Sequence, residues 1–179
     1  MDEEKRTQDM FGVSTATFVT ADTYSNAHLQ ECSLKDASLY HFINFKRPHV
    51  LDLIMQGLYI KTQSSPFEAP YFSCVPYLFG EGQAMQYSFW PKYDQKTPIP
   101  DLPFRPPDDY LRNAMVATLA ERDVDIDVRV QLQTDLFRMP IENAAVLWPE
   151  HVSPRVSVAT IHISKQKFNS PEQIAFARR

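Results

Sequence analysis

The sequence predicts an α+β fold, an antiparallel β-meander with flanking helices, and three observations carry that prediction. Val124, Ile126, Val128, Val130 and Leu132 alternate with Asp125, Asp127, Arg129, Gln131 and Gln133, the period of two that gives a strand one apolar and one polar face. Two runs rich in aromatic and apolar residues, from Tyr71 to Trp90, flank Gly80-Glu81-Gly82. Glycine permits the positive φ of a tight turn there. Leu111, Ala114, Met115, Thr118 and Leu119 recur at helical spacing just ahead of the alternating strand, placing one apolar stripe on a helix.

The other elements follow in chain order. Ser14 to Thr20 is rich in β-branched residues and predicts an extended segment. Ser33 to Gly57 predicts a helical hairpin broken at Arg47, because Pro48 disfavours helical geometry in the residue before it. Pro76 lies inside the first strand of the Gly80–Gly82 hairpin, which implies an edge or a bulge. From Pro91 to Pro107 six prolines exclude regular helix and central strand. That stretch predicts an ordered arm, with Leu102 and Phe104 as anchors. Asp108 is the expected cap of the 111–119 helix. Val156 to Ile163 predicts a further strand, and Ser170, Pro171 and Glu172 open a short helix as cap, first helical residue and first-turn acid. Short connections between successive strands favour a meander of about four strands.

At 179 residues and 44% hydrophobic, the chain suits a single globular domain, residues 1–179, with a core of its own. A net charge of -4 with scattered Lys and Arg argues against a nucleic-acid partner. No apolar run approaches the ~20 residues that span a bilayer. The start, MDEEKRTQDM, is charged where a signal peptide needs an apolar stretch, so a cytoplasmic location is expected. Cys32 and Cys74 are too few for a disulfide scaffold and form no CxxC pair.

Chemistry-bearing patterns are sparse. Asp125 and Asp127 fall on one strand face ~7 Å apart by strand rise, a spacing open to acid–base or metal chemistry, but Arg129 and Gln131 continue the same face and predict a solvated polar comb. On that view Val128→Asp buries a charge, whereas Gln131→Glu only alters the comb. His41, His49, His151 and His162 match no compact metal motif, and neither GxSxG nor GxxxxGK[ST] occurs. No residue is expected to be catalytic or metal-ligating.

Taken together, YFSCVPYLFGEG at residues 71–82, MPIENAAVLWPE at 139–150 and SPRVSVATIHI at 153–163 resemble the catalase-like heme proteins, particularly the small catalase-related peroxidases. The resemblance runs from about Thr7 to Arg178 and covers the middle of a family member. It implies part of an eight-stranded antiparallel barrel with heme against its outer side, and heme-dependent peroxide or hydroperoxide chemistry. Thr7-Gln8-Asp9 is similar to the family's entry to the strand that passes over the heme. Phe18 and Asp22 resemble the phenylalanine and aspartate of its NxPxFFxRD-like segment. The resemblance therefore implies Ser14, Phe18 and Ser73 as cofactor-binding residues, with Phe18 stacking on the distal side. The distal asparagine falls at Val13 or Ser14 according to register, and neither supplies its amide. Cys74 occupies the place of a histidine, and Asn143 that of an aspartate.

The family's distal histidine is expected on a segment before this chain's first residues, and its tyrosinate iron ligand on a helix beyond Arg179. Tyr110 and Arg112 form a tyrosine–arginine pair only in spacing, since they open the amphipathic helix. Two functions are thus expected: a catalase-like heme-protein fragment inactive by itself, or a non-enzymatic β-sheet module for binding or interaction. A partial barrel leaves sheet edges, so self-association is the expected partnership.

Overall fold

The computed structural model describes residues 9–18, 20–34, 63–93, 98–99 and 106–177. Its elements in chain order are α1 (Thr23–Leu34), β1 (Tyr71–Phe72), β2 (Tyr77–Leu78), β3 (Ala84–Pro91), α2 (Tyr110–Glu121), β4 (Val124–Leu132), β5 (Val156–Ile163) and α3 (Pro171–Ala177). The five strands form an open antiparallel sheet in the order β1-β3-β4-β5, with β2 also paired to β3. The fold is α+β, and the meander runs β3-β4-β5, although β3 and β4 are joined through the long stretch that holds α2 and not by the short connection expected.

The hairpin shows why the predicted first strand is split in two. β1 ends after Phe72, and Cys74 adopts φ 58°, a left-handed backbone that a residue with a Cβ enters at a cost. The chain re-enters the sheet at β2, past Pro76, with Tyr77 opposite Met85 and Leu78 opposite Ala84. Gly80 and Gly82 turn the corner at φ 80° and 71°. The edge or bulge expected from Pro76 is this interruption.

The chain divides into two compact units, one of Met1–Lys61, Tyr71–Ser88 and Val130–Val156, the other of Thr62–Pro70, Phe89–Arg129 and Ser157–Arg179. In the first unit Ala84, Met139 and Trp148 form a buried cluster with Val152 against it. Met139 and Trp148 are 0% and 1% exposed. MPIENAAVLWPE is therefore a loop that turns back into the core, which is why no periodicity describes it. Trp148 Nε1 donates to the Pro140 carbonyl at 3.2 Å, and Gln133 Nε2 donates to the Met139 carbonyl at 2.6 Å. In the second unit Phe67, Leu119 and Val124 are buried together, with Met115, Ile126, Ile163 and Phe168 packed on them. Leu119 and Met115 come from the apolar stripe of α2.

Three expectations require correction, and one helix is an addition. The polar face of β4 is not a solvated comb: Asp127 is buried and Gln131 is 1% exposed. Gln131 Nε2 donates to the carbonyls of Ser153 at 2.7 Å and Trp148 at 3.3 Å, so the loop that carries Trp148 covers this face. Helix α2 begins at Tyr110 with Asp109, not Asp108, in the cap position and no side-chain cap bond. The described residues of the Ser14–Thr20 stretch form no strand. Val13 alone pairs with Phe72, because the turn at Cys74 ends the ladder. Helix α1 was not anticipated. Its start is fixed by Asp22, whose Oδ1 accepts from Ser25 N–H at 2.8 Å and whose Oδ2 accepts from the Ser25 hydroxyl at 2.9 Å.

The predicted cap of α3 is present as a reciprocal pair: Gln173 N–H donates to Ser170 Oγ at 3.3 Å and Ser170 N–H to Gln173 Oε1 at 3.2 Å. Most of the predicted 33–57 hairpin, and the anchors Leu102 and Phe104, lie outside the described residues.

Candidate functional site

The segment around Ser14 and Phe18 is a strap fastened mainly by backbone bonds. Val13 N–H donates to Phe72 O at 3.0 Å and Phe72 N–H returns to Val13 O at 2.8 Å. Further along, Phe18 N–H donates to Ala144 O at 3.0 Å and Ala144 N–H donates to Ala21 O at 2.9 Å. The receiving loop is stiffened by Asn143, whose Oδ1 accepts from Ala145 N–H at 3.1 Å. An amide oxygen does here what a carboxylate would do, so the exchange that distinguishes Asn143 from the resembled pattern keeps the turn and drops its charge.

Two side chains bind the strap to the hairpin. The Cys74 thiol donates to Thr15 O at 2.9 Å, and the Tyr87 hydroxyl donates to Phe11 O at 2.7 Å. Burial pushes the Cys74 thiol up to about 11 and the Tyr87 hydroxyl up to about 12. Both stay protonated at neutral pH. They are structural donors, and Cys74 has none of the thiolate character that reactivity or metal binding requires.

Between strap and loop opens a cavity of about 330 Å³, lined by Phe18, Thr20, Asp22, Val75, Pro76, Ile141 and Glu142 among others. Phe18 is half-buried and forms part of its wall. Ser73 is buried but does not line it. Its hydroxyl donates to Val75 O at 2.9 Å and accepts from Tyr87 N–H at 3.3 Å. Ser14 is exposed. The Val13–Phe72 bridge and the Cys74–Thr15 bond thus bring the stretch containing Ser14 to the stretch containing Ser73, while Phe18 alone of the three faces the cavity.

A larger cavity, about 600 Å³, lies in the second unit along α2, where Arg122 stacks on the Tyr93 ring at 2.9 Å from its centroid. Tyr110 lines it and donates its hydroxyl to Gln63 O at 2.8 Å. That bond gives Tyr110 a structural task, in keeping with its place at the start of a helix. None of the residues implied by the resemblance lines this cavity.

The two β4 aspartates are also taken up locally. Asp127 Oδ1 accepts from the Ser157 hydroxyl at 2.5 Å and Oδ2 from Arg129 Nε at 2.8 Å. The Ser157 bond first, and Arg129 second, hold the Asp127 carboxyl below its usual range. A depressed folded-state pKa stabilises the fold above the unfolded value of roughly 3.9, and the contribution disappears as pH falls through the folded value. Ser157→Ala is therefore expected to lower stability at pH 6 by on the order of 1 kcal/mol, with the difference from wild type shrinking towards pH 2.5. Urea unfolding at the two pH values measures it; a difference unchanged by acid would show that the Ser157 bond does not act through the Asp127 charge.

Heme iron needs an axial side chain such as histidine, thiolate or tyrosinate. The Cys74 thiol and Tyr87 phenol do not line the 330 Å³ cavity and are protonated and bonded to backbone carbonyls, and among the described residues no group of three or more His, Cys, Asp and Glu could hold a metal ion. His28 and His151 are exposed. Among the described residues the cavity offers an aromatic wall at Phe18, two carboxylates at Asp22 and Glu142, of which Asp22 is engaged by Ser25, and no histidine, thiolate or tyrosinate to ligate iron, so the residues present do not by themselves fit a heme.

No protein-family model matches this sequence, and no curated protein matches it. Solved structures do. The chain is similar to a fungal catalase at 14% identity and TM-score 0.67, covering 88% of this chain and 36% of that one. It is similar to a bacterial catalase at 14% identity and TM-score 0.65, covering 88% and 35%. It is also similar to catalase A from Saccharomyces cerevisiae at 13% identity and TM-score 0.66, covering 88% and 37%. The fold is catalase-like, and the chain spans about a third of the length of these catalases. No helix among the described residues is long and apolar enough to cross a membrane.

Proposed function

We propose that this chain is the sheet-bearing part of a catalase-like heme protein, associated with heme-dependent peroxide or hydroperoxide chemistry, and that it does not turn over peroxide by itself. The observation that carries this is the strap: a catalase-like fold in which the residues implied by the resemblance are held against the hairpin and the 140–146 loop, with Phe18 on the cavity. In this reading Phe18 is the residue that faces the cofactor, Ser14 and Ser73 belong to the strap and hairpin behind it without lining the cavity, and the axial ligand and the base come from other residues. General acid–base assistance contributes about 10²–10⁴-fold to reactions of this kind. Its absence is expected to leave hemin-loaded protein within tenfold of free hemin in oxygen release from peroxide. A rate a hundredfold above free hemin would overturn the proposal.

A second reading is favoured by one observation, the exposure of β5 on both faces. Val156, Val158 and Ile161 are 57%, 57% and 41% exposed on the last strand of the sheet. An open edge with apolar residues beside it is a surface for self-association, so this chain is then a non-enzymatic interaction module on the same fold. Hemin titration of the folded chain separates the two. A Soret band that weakens in Phe18→Ala supports the heme protein, whereas no Soret band together with concentration-dependent mass in light scattering supports the module.

A further inference from the structure

Strand β5 buries almost nothing of its own. Every residue from Val156 to His162 is exposed, and only Ile163 reaches the core of its unit. The burial of apolar surface that fixes β4 therefore contributes little to β5. What holds β5 in the sheet among the described residues, besides the backbone ladder, is a row of polar side-chain contacts to β4, to Asp123 just before it and to Lys92 just past the end of β3. The Ser157 hydroxyl is bonded to Asp127, Lys92 Nζ donates to Thr160 Oγ1 at 2.9 Å, and the His162 ring lies between two carboxylates. His162 Nδ1 is 2.7 Å from Asp125 Oδ1, and Nε2 is 4.0 Å from Asp123 Oδ2.

We propose that β5 is a releasable edge strand latched by the His162 imidazole between Asp123 and Asp125, detaching more readily when that imidazole is neutral. Two carboxylates on one ring favour its cation. The Asp125 bond, followed by the charges of Asp125 and Asp123, raises the His162 pKa above its ordinary value. A raised folded-state pKa means that the attraction is fully present below the unfolded value of roughly 6.5 and is lost as pH rises through the folded value. Three cations lie on or beside the elements that form the latch. Lys165 follows β5 and donates its backbone N–H to Asp123 Oδ1 at 2.6 Å. Lys92 lies on Thr160, and Arg129 is paired with Asp127. Beyond the strand, Gln166 N–H donates to Leu119 O at 2.8 Å, so an opened β5 remains tethered to α2. Release uncovers the outer edge of β4, whose free N–H and C=O groups can accept another extended segment.

Hydrogen exchange followed by mass spectrometry on the intact 179-residue chain tests this, with rates corrected for intrinsic exchange. Exposed ion pairs are weak, so the expected loss of protection in 156–163 between pH 5.5 and pH 8 is about two- to fivefold, with β3 unchanged. His162→Gln and Asp125→Asn are expected to remove the pH dependence while leaving the protection of β3 intact. Equal loss in β3 and β5, no pH dependence in the wild type, or pH dependence that survives in His162→Gln would each overturn the proposal.

Discussion

Val128→Asp and Gln131→Glu are both expected to unfold the chain or leave it aggregated, although one replaces an apolar side chain and the other a polar one. Val128 is buried on the apolar face of β4, and a carboxylate there has no partner. Gln131 is buried on the opposite face, where its amide N–H₂ satisfies two carbonyls and its Oε1 has no hydrogen-bond partner among the described residues. Glutamate would remove both donors and set a negative charge against the Trp148 and Ser153 carbonyl oxygens. Breaking a buried polar arrangement so that a charge is uncompensated costs about 3–5 kcal/mol, against a total stability of about 5–15 kcal/mol for a domain. Circular dichroism melts of the two variants decide the matter. A wild-type melting temperature for Gln131→Glu would mean that the loop does not cover that face.

Trp148→Ala is expected to cost about 3–5 kcal/mol, since it opens a cavity beside Met139 and Ala84 and leaves the Pro140 carbonyl without its indole donor. For a chain of this length that corresponds to a fall in melting temperature of roughly 6–20 °C. Phe137→Ala is the control: Phe137 is 94% exposed at the tip of the turn capped by Asp135, which accepts from the N–H groups of Phe137 and Arg138 at 2.9 Å. Its removal is expected to change stability by less than 0.5 kcal/mol. Denaturant unfolding of both variants checks the pair, and similar losses would show the loop's core and tip to be misassigned.

The contrast between these residues explains what was legible in the sequence. Alternation identified β4, and the glycine pair placed the turn before β3, because a strand's faces and a turn's φ values are local properties. Alternation says which side chains share a face but not what lies over it. Gln131 and Asp127 therefore read as solvent-facing, until the 135–153 loop and Ser157 are seen to meet them. Helix α1 was illegible by periodicity, since Leu29 is buried while Tyr24 and Leu34 are exposed, leaving no apolar stripe; its one local signal was the Asp22 cap, with Ser25 three residues on. At the candidate site, the resemblance pointed to Ser14, Phe18 and Ser73; Phe18 lines a cavity and the two serines do not, and whether any of them meets a cofactor is a proposal. The roles of Cys74 and Tyr87 as donors to the strap depend on partners 59 and 76 residues away, a separation no short motif encodes.

That same separation orders events as the protein is made. At about 5–20 residues per second, the strap around Phe18 leaves the ribosome several seconds before the Ala144 carbonyl that receives it exists. Contacts distant in sequence close slowly even in a finished chain, because loop entropy must be overcome first. The 133–153 loop, by contrast, closes on Gln131 over 17 and 22 residues. The first part synthesised is thus expected among the last to dock, and during that interval Phe11 and Phe18 are open to chaperones and to neighbouring chains.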